Sequence, residues 1–177
     1  MTPGSDIIAR IESVLPLHEK VWANSMGEEE WPQAAVLVAL TREDEPRVLL
    51  GRRAMHLSMH PGEVAFAGGK RESFDISPWQ TARREAMEEV GLPERVIEPL
   101  GELDPLITRT GFEVFPCIAS IPAEPELVVD PGEFDSVFLS PLSVYADANL
   151  FRLETMSDGR RARKVPHYQI GKDNVWG

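Results

Sequence analysis

Three glutamates, Glu85, Glu88 and Glu89, fall within five positions of the stretch "RREAMEEVGL". On a helix, residues three and four apart share a face, so all three carboxylates gather on one small arc. Like charges at that spacing cost about 0.2–0.5 kcal/mol per pair. The negative end of the helix dipole penalises them again. One reading is a solvated acidic face, with Arg84 pairing with Glu88. The other is a cation site, because hard divalent ions such as magnesium take oxygen ligands from a few carboxylates and complete the shell with water and substrate phosphate. A local rule broken without visible compensation points to function. Gly68-Gly69 sits just upstream, where glycine lets backbone approach a ligand and the Gly69 carbonyl can serve as a further ligand.

The elements that must position these groups follow from pattern and punctuation. Residues 78–90 form the clearest helix: Ser77 suits the N-cap, Pro78 the first turn, and Gln80 completes a capping box. Gly91 supplies the stop. Trp79, Ala82, Ala86 and Val90 give this helix its apolar face. An earlier helix is expected over 5–16, capped by Ser5 or Asp6. The segments "QAAVLVAL", "RVLLGRRA", "EVAFAGG", "VIEPLGEL", "EVFPCIASIPA", "DSVFLS" and "RRARKVPHYQI" read as strands, and a short helix is expected over 141–146. Strands on both sides of a central helix predict a mixed sheet flanked by helices, an α/β (α+β) fold in one domain of 177 residues. Residues 1–30 form an N-terminal helical extension to it.

Composition narrows the function. The formal net charge of -11 opposes a polyanion, which argues against nucleic acid as a partner but leaves room for a small phosphorylated ligand. No apolar run approaches the ~20 residues of a membrane span, and the N-terminus lacks the pattern of a secretory signal. A single cysteine, Cys117, can form no intrachain disulfide, so a reducing cytoplasm is the expected compartment. It lies in the apolar run "VFPCIASI" and reads as a small buried residue. His18, His56 and His167 show no metal-ligand spacing.

The stretch "GGKRESFDISPWQTARREAMEEVGL" resembles the signature of the Nudix hydrolases, with Gly69, Arg84, Glu85, Glu88, Glu89, Gly91 and Leu92 on the matching positions. Two departures are visible: a loop one residue longer, and Asp75 where glutamate is usual. Both are similar to one subgroup, the coenzyme A pyrophosphatases. The preceding "LLGRRAMHLSMHPGEVAFAGG" resembles that subgroup at Leu49, Leu50, Arg53, Leu57, His60, Gly62, Val64, Phe66, Gly68 and Gly69, while Glu63 stands for glutamine and Ala67 for proline. The likeness spans roughly residues 33–176. It implies a Nudix-type α/β/α sandwich, and a further helix beyond Trp176-Gly177, so that the C-terminus reads as trimmed.

The resemblance also implies an activity. It is Mg2+- or Mn2+-dependent hydrolysis of the pyrophosphate bond in coenzyme A, giving 3',5'-ADP and 4'-phosphopantetheine. Glu85 and Glu89 would be the principal metal ligands, and Glu88 a further ligand or the base. Glu133 is a competing base, with a turn residue as its plain alternative. Arg84 would hold the glutamates through ion pairs. Arg52, Arg53, Lys70 and Arg71 are candidates to meet the substrate's 3'-phosphate, Arg53 first among them; most such residues simply face solvent. His60 is either a substrate contact or a turn histidine. Two rivals remain: a Nudix enzyme for ADP-ribose or a nucleoside triphosphate, and a catalytically silent Nudix-fold binding module. The partner is a small nucleotide-type molecule, and a homodimer is left open.

Overall fold

The computed structural model describes residues 3–17, 21–157 and 162–177, with side chains from residue 7 onward. His18 and the side chains of Ser5 and Asp6 lie outside the described part. The described residues include two α-helices, α1 (Pro3–Val14) and α2 (Pro78–Val90). Eight strands build the main sheet: β1 (Gln33–Thr41), β2 (Arg47–Arg53), β3 (Val64–Ala65), β4 (Ala67–Lys70), β5 (Glu98–Glu102), β6 (Leu106–Ile107), β7 (Glu113–Ile121) and β8 (Phe134–Pro141). A separate three-stranded sheet holds β9 (Phe151–Ser157), β10 (Ala162–Ile170) and β11 (Asp173–Trp176). The expected helix over 141–146 is a 3-10 turn, Leu142–Ala146.

The main sheet is mixed, as the alternation of elements predicts. Strands β1 and β7 run parallel in register from Gln33↔Glu113 to Thr41↔Ile121, while the other pairings are antiparallel. Side chains alternate between the faces. Ala35, Leu37 and Ala39 of β1 and Cys117, Ala119 and Ile121 of β7 pack under Trp79, Ala82, Ala86 and Val90 of α2. The opposite face carries Leu40, Val48, Leu50, Leu100 and Ile118 against Ile8 and Ile11 of α1. A helix therefore lies on each face, an α+β architecture. Fully burying a side chain the size of Val90 or Leu37 stabilises the fold by about 1.5–3 kcal/mol.

One feature of the sheet makes room for a site. Strands β1 and β2 meet only at Leu40↔Val48 and then splay apart. The segment expected to be one strand, "EVAFAGG", is two: Val64–Ala65 pairs with β2, and Ala67–Lys70 crosses to pair with β1. The diglycine thus lies in the splay, over the C-terminal half of α2.

Helix α2 has the predicted boundaries. Ser77 Oγ accepts from the Gln80 N–H at 3.2 Å, and Gln80 Oε1 accepts from the Ile76 N–H at 2.8 Å, so the glutamine reaches back one residue beyond the cap. Gly91 sits at φ 69°, in the left-handed region where glycine has no Cβ penalty, and its N–H and that of Leu92 close the last turn onto Met87 and Ala86.

Candidate active site

The three glutamates have unequal surroundings. Glu89 is 5% exposed, and its Oε2 accepts the Gly68 N–H at 2.9 Å. Burial pushes its carboxyl up to about 8, the Gly68 bond opposing and the charges of Glu85 and Glu133 adding to the rise. Glu85 is half-buried, and burial raises its carboxyl as well, against the pull of Arg84. Glu88 is exposed. A Cβ built on Gly69 would stand 2.5 Å from Glu85 Oε1, so only glycine lets that carboxylate lie against β4. The requirement for glycine here is close approach.

Arg84 ties the group together. Its Nη1 donates to Glu85 Oε1 at 2.8 Å and to Glu88 Oε2 at 3.1 Å, and its Nη2 donates to the Lys70 carbonyl at 3.0 Å. The same guanidinium meets Asp75 through Nε at 3.3 Å and Nη2 at 3.0 Å. Asp75 is 2% exposed and also accepts from the Glu72 N–H and the Thr81 hydroxyl, each at 2.9 Å. Burial alone would raise the Asp75 carboxyl, yet Arg84 and these two donors together hold it below its usual range. The expected role of Arg84 as an ion-pairing residue therefore has a second half, an aspartate that anchors it.

The basic residues divide. Arg53 is half-buried, its charge reaches Glu89, and its Nε is buried without a hydrogen-bond partner. Lys70 is exposed, with Nζ 5.2 Å from the centre of the Phe112 ring. Arg52 and Arg71 are committed elsewhere. Arg52 donates to both Asp173 oxygens at 2.6 and 2.7 Å and to Ser136 Oγ at 2.9 Å. Arg71 is 9% exposed, donates to Gln33 Oε1 and the Asn24 carbonyl, and lies over the Trp22 ring. Both arginines thus make internal contacts in the fold. His60 adopts φ 54°, and its Nδ1 lies 2.9 Å from Glu63 Oε2, as suits a turn histidine. Glu133 is half-buried in the turn before β8, and its carbonyl accepts the Ala54 N–H.

Comparison with known proteins places this arrangement. The profile of the NUDIX domain matches residues 31–158. The chain belongs to the Nudix family. A Nudix hydrolase named NudL from Enterobacter sp. (strain 638), described as uncharacterized, is 45% identical over 111 residues, 63% of this chain and 58% of that protein. Its namesake from Salmonella newport (strain SL254) is 42% identical over the same shares. The chain thus matches less than two thirds of the length of these relatives. Three solved structures share the Nudix fold. The Nudix hydrolase RenU from M. smegmatis has a TM-score of 0.55 at 24% identity, covering 65% of this chain and 73% of its own. A C. elegans Ap4A hydrolase binary complex scores 0.53 at 18% identity, covering 62% and 80%. The NUDIX domain of Shewanella oneidensis NrtR, complexed with ADP ribose, scores 0.53 at 19% identity, covering 70% and 80%.

Nudix enzymes generally use divalent metal ions, and the residues present in this Nudix chain fit one. The donors are carboxylate oxygens, the hard ligands such ions prefer. A buried carboxyl pushed up to about 8 is held in surroundings where a proton or a cation must balance it. The Gly69 backbone makes a cradle that a Cβ would fill. Among the described residues, no three acidic, histidine or cysteine side chains already stand together as a ligand set. Glu85 and Glu88 lean on Arg84, so ion binding calls for at least one of them to turn from the guanidinium. Asp75 is the residue the sequence reading undervalued. It looks like a shortened loop acid, and its one signal is position six after Gly69, with Thr81 and Arg84 following at helical spacing.

Proposed function

We propose that this Nudix chain hydrolyses the pyrophosphate bond of coenzyme A or a derivative, giving 3',5'-ADP and 4'-phosphopantetheine, with Mg2+ or Mn2+. The observation that carries the reading is the buried Glu89 carboxyl beside Glu85, backed by the Gly68-Gly69 backbone in the splay between β1 and β2. Glu85 and Glu89 would hold the cation, with Glu88 and the Gly69 carbonyl available to it. Bound there, the ion would offset the diphosphate charge and lower the pKa of an attacking water. Glu88, exposed at the rim, accepts the water proton; Glu133, whose charge reaches Glu89, is the competing base. Arg84 fixes Glu85 from one side while Asp75 fixes Arg84 from the other. Arg53, half-buried and with its charge reaching Glu89, would bind a phosphate oxygen.

A second reading has an observation of its own. Glu63 stands where the subgroup carries glutamine, and its carboxylate faces His60 at 2.9 Å. An acid there disfavours an extra phosphate, which fits a nucleoside diphosphate derivative without one, such as ADP-ribose. One assay separates the two. With Mn2+, kcat/KM for coenzyme A should exceed that for its form lacking the 3'-phosphate and that for ADP-ribose. The reverse order would establish the second reading, and no turnover of any of the three would favour a silent binding module.

A further inference from the structure

We propose that Tyr145, Phe151 and Tyr168, with Asp147 at the rim, form an aromatic cage for the quaternary ammonium head of a small soluble molecule. Strand register supplies two of the rings. Phe151 of β9 and Tyr168 of β10 are direct cross-strand partners, so both side chains stand on one face of the small sheet. Their ring centroids are 5.4 Å apart and their planes are tilted by 55°. The third ring comes from the 3-10 turn Leu142–Ala146, which brings Tyr145 to 5.2 Å from Tyr168 at an interplanar angle of 71°. Tyr168 is thus flanked by two rings set steeply to its own plane. With Ala146, Asp147 and Ala148 the three rings line a cavity of about 220 Å³.

The walls are held in place. The Tyr145 hydroxyl donates to Oγ of buried Ser140 at 3.2 Å. The Leu150 N–H donates to the Asp147 carbonyl and the Gln169 N–H to the Leu150 carbonyl, each at 3.1 Å, which ties the segment between Tyr145 and Phe151 to β10. Asp147 Oδ1 accepts the Asn149 N–H and side-chain amide, each at 2.9 Å, so the carboxylate is fixed at the mouth. The face of an aromatic ring is negative and attracts a cation within about 6 Å of its centroid. Among the described residues the lining holds three such rings and one carboxylate, with no lysine or arginine. A net charge of -11 also favours a cation. A primary ammonium is strongly hydrated and wants several acceptors, whereas methyl groups on nitrogen pack against ring faces and keep the charge. The cavity is smaller than the ~300–1,000 Å³ that hold drug-sized ligands, so it suits one head group. Tyr145 packs with the core cluster on the α1 face of the main sheet, opposite α2, so a cation bound here leaves the glutamate site untouched.

Proton NMR of choline titrated with the intact chain tests the cage. Wild-type protein should move the N-methyl signal upfield in a saturable way, because the methyl groups sit over ring faces. The neutral carbon isostere of choline, with tert-butyl in place of trimethylammonium, should bind at least about fivefold more weakly. Phe151→Leu keeps an apolar side chain but removes one ring, and should weaken choline binding about fivefold, while Phe151→Tyr should stay within about twofold of the wild type. Asp147→Asn should weaken it about threefold. With Mn2+, Phe151→Leu should hydrolyse a pyrophosphate substrate at the wild-type rate. No saturable shift with the wild type, equal binding of the neutral isostere, or unchanged binding by Phe151→Leu would overturn the cage. Retention on phosphatidylcholine vesicles without binding of free choline would overturn the choice of a soluble ligand. A lowered kcat in Phe151→Leu would overturn the separation of the cage from the glutamates.

Discussion

Glu89 at the end of α2 and Asp173 at the start of β11 are both carboxylates drawn out of water, and their surroundings treat them in opposite ways. Asp173 receives two charged donors from Arg52, and these, ahead of the opposing effect of burial, hold its carboxyl below the usual range. Glu89 receives one neutral backbone N–H and has Glu85 and Glu133 nearby, so burial pushes its carboxyl up to about 8. The first pair joins the small sheet to β2 of the main sheet and is satisfied within the fold. The second is left wanting positive charge. The difference teaches where to look: a balanced buried pair holds structure, and an unbalanced one marks the place where something else binds.

The comparison breaks most visibly in turnover. Glu85→Gln or Glu89→Gln should lower kcat by roughly 10²-fold or more, beyond the 10–100-fold typical of residues that only orient a ligand. Circular dichroism should show the fold intact. Asp173→Asn should leave kcat within a few-fold, measured in the same assay. Asp75→Asn falls between: it frees Arg84 from its anchor and should cost roughly 10–100-fold in metal-dependent turnover. If it instead behaves like Asp173→Asn, Arg84 does not need that anchor.

Stability should rank the two regions the other way. Asp173→Asn leaves a partly buried Arg52 without its carboxylate and should cost on the order of 1–3 kcal/mol in urea unfolding. Glu89→Gln should be neutral or stabilising in metal-free protein near pH 8, because a repulsion and a desolvated charge are removed.

The two carboxyls also differ in how pH acts on them. A carboxyl whose folded pKa is lowered adds stability above its unfolded pKa, and that contribution fades as pH falls through the folded value. Asp173 should therefore loosen the sheet junction only below about pH 4. A carboxyl whose folded pKa is raised does the reverse. Glu89 adds stability at low pH that is lost as pH climbs from its unfolded value to about 8. Thermal melts of metal-free wild type and Glu89→Gln should thus coincide at pH 4 and diverge by pH 8, with the variant the higher.

Much of this was legible in the sequence, and the gaps have physical causes. Helix α2 reads cleanly because its cap, proline, apolar stripe and glycine stop agree. The carboxylate arc follows from the same helix. The break between β3 and β4 was hidden because a change of strand partner at Phe66 leaves the apolar pattern of "EVAFAGG" unaltered. Strand β9 escaped because Phe151 and Leu153 are as exposed as Glu154 and Thr155, so burial wrote no alternation into it. The internal partners of Arg52 and Arg71 could not be read from the sequence, since Asp173 and Gln33 lie 121 and 38 residues away. Asp75 shows the same limit: that Arg84 returns to it is a property of the folded loop.

The most direct test is a manganese titration followed by electron paramagnetic resonance at pH 8, using metal-free wild type and the Glu85→Gln/Glu89→Gln double variant. The signal of free Mn2+ should fall on adding wild-type protein and persist on adding the variant. Equal loss of signal with both proteins, or none with the wild type, would contradict a cation site built from these glutamates.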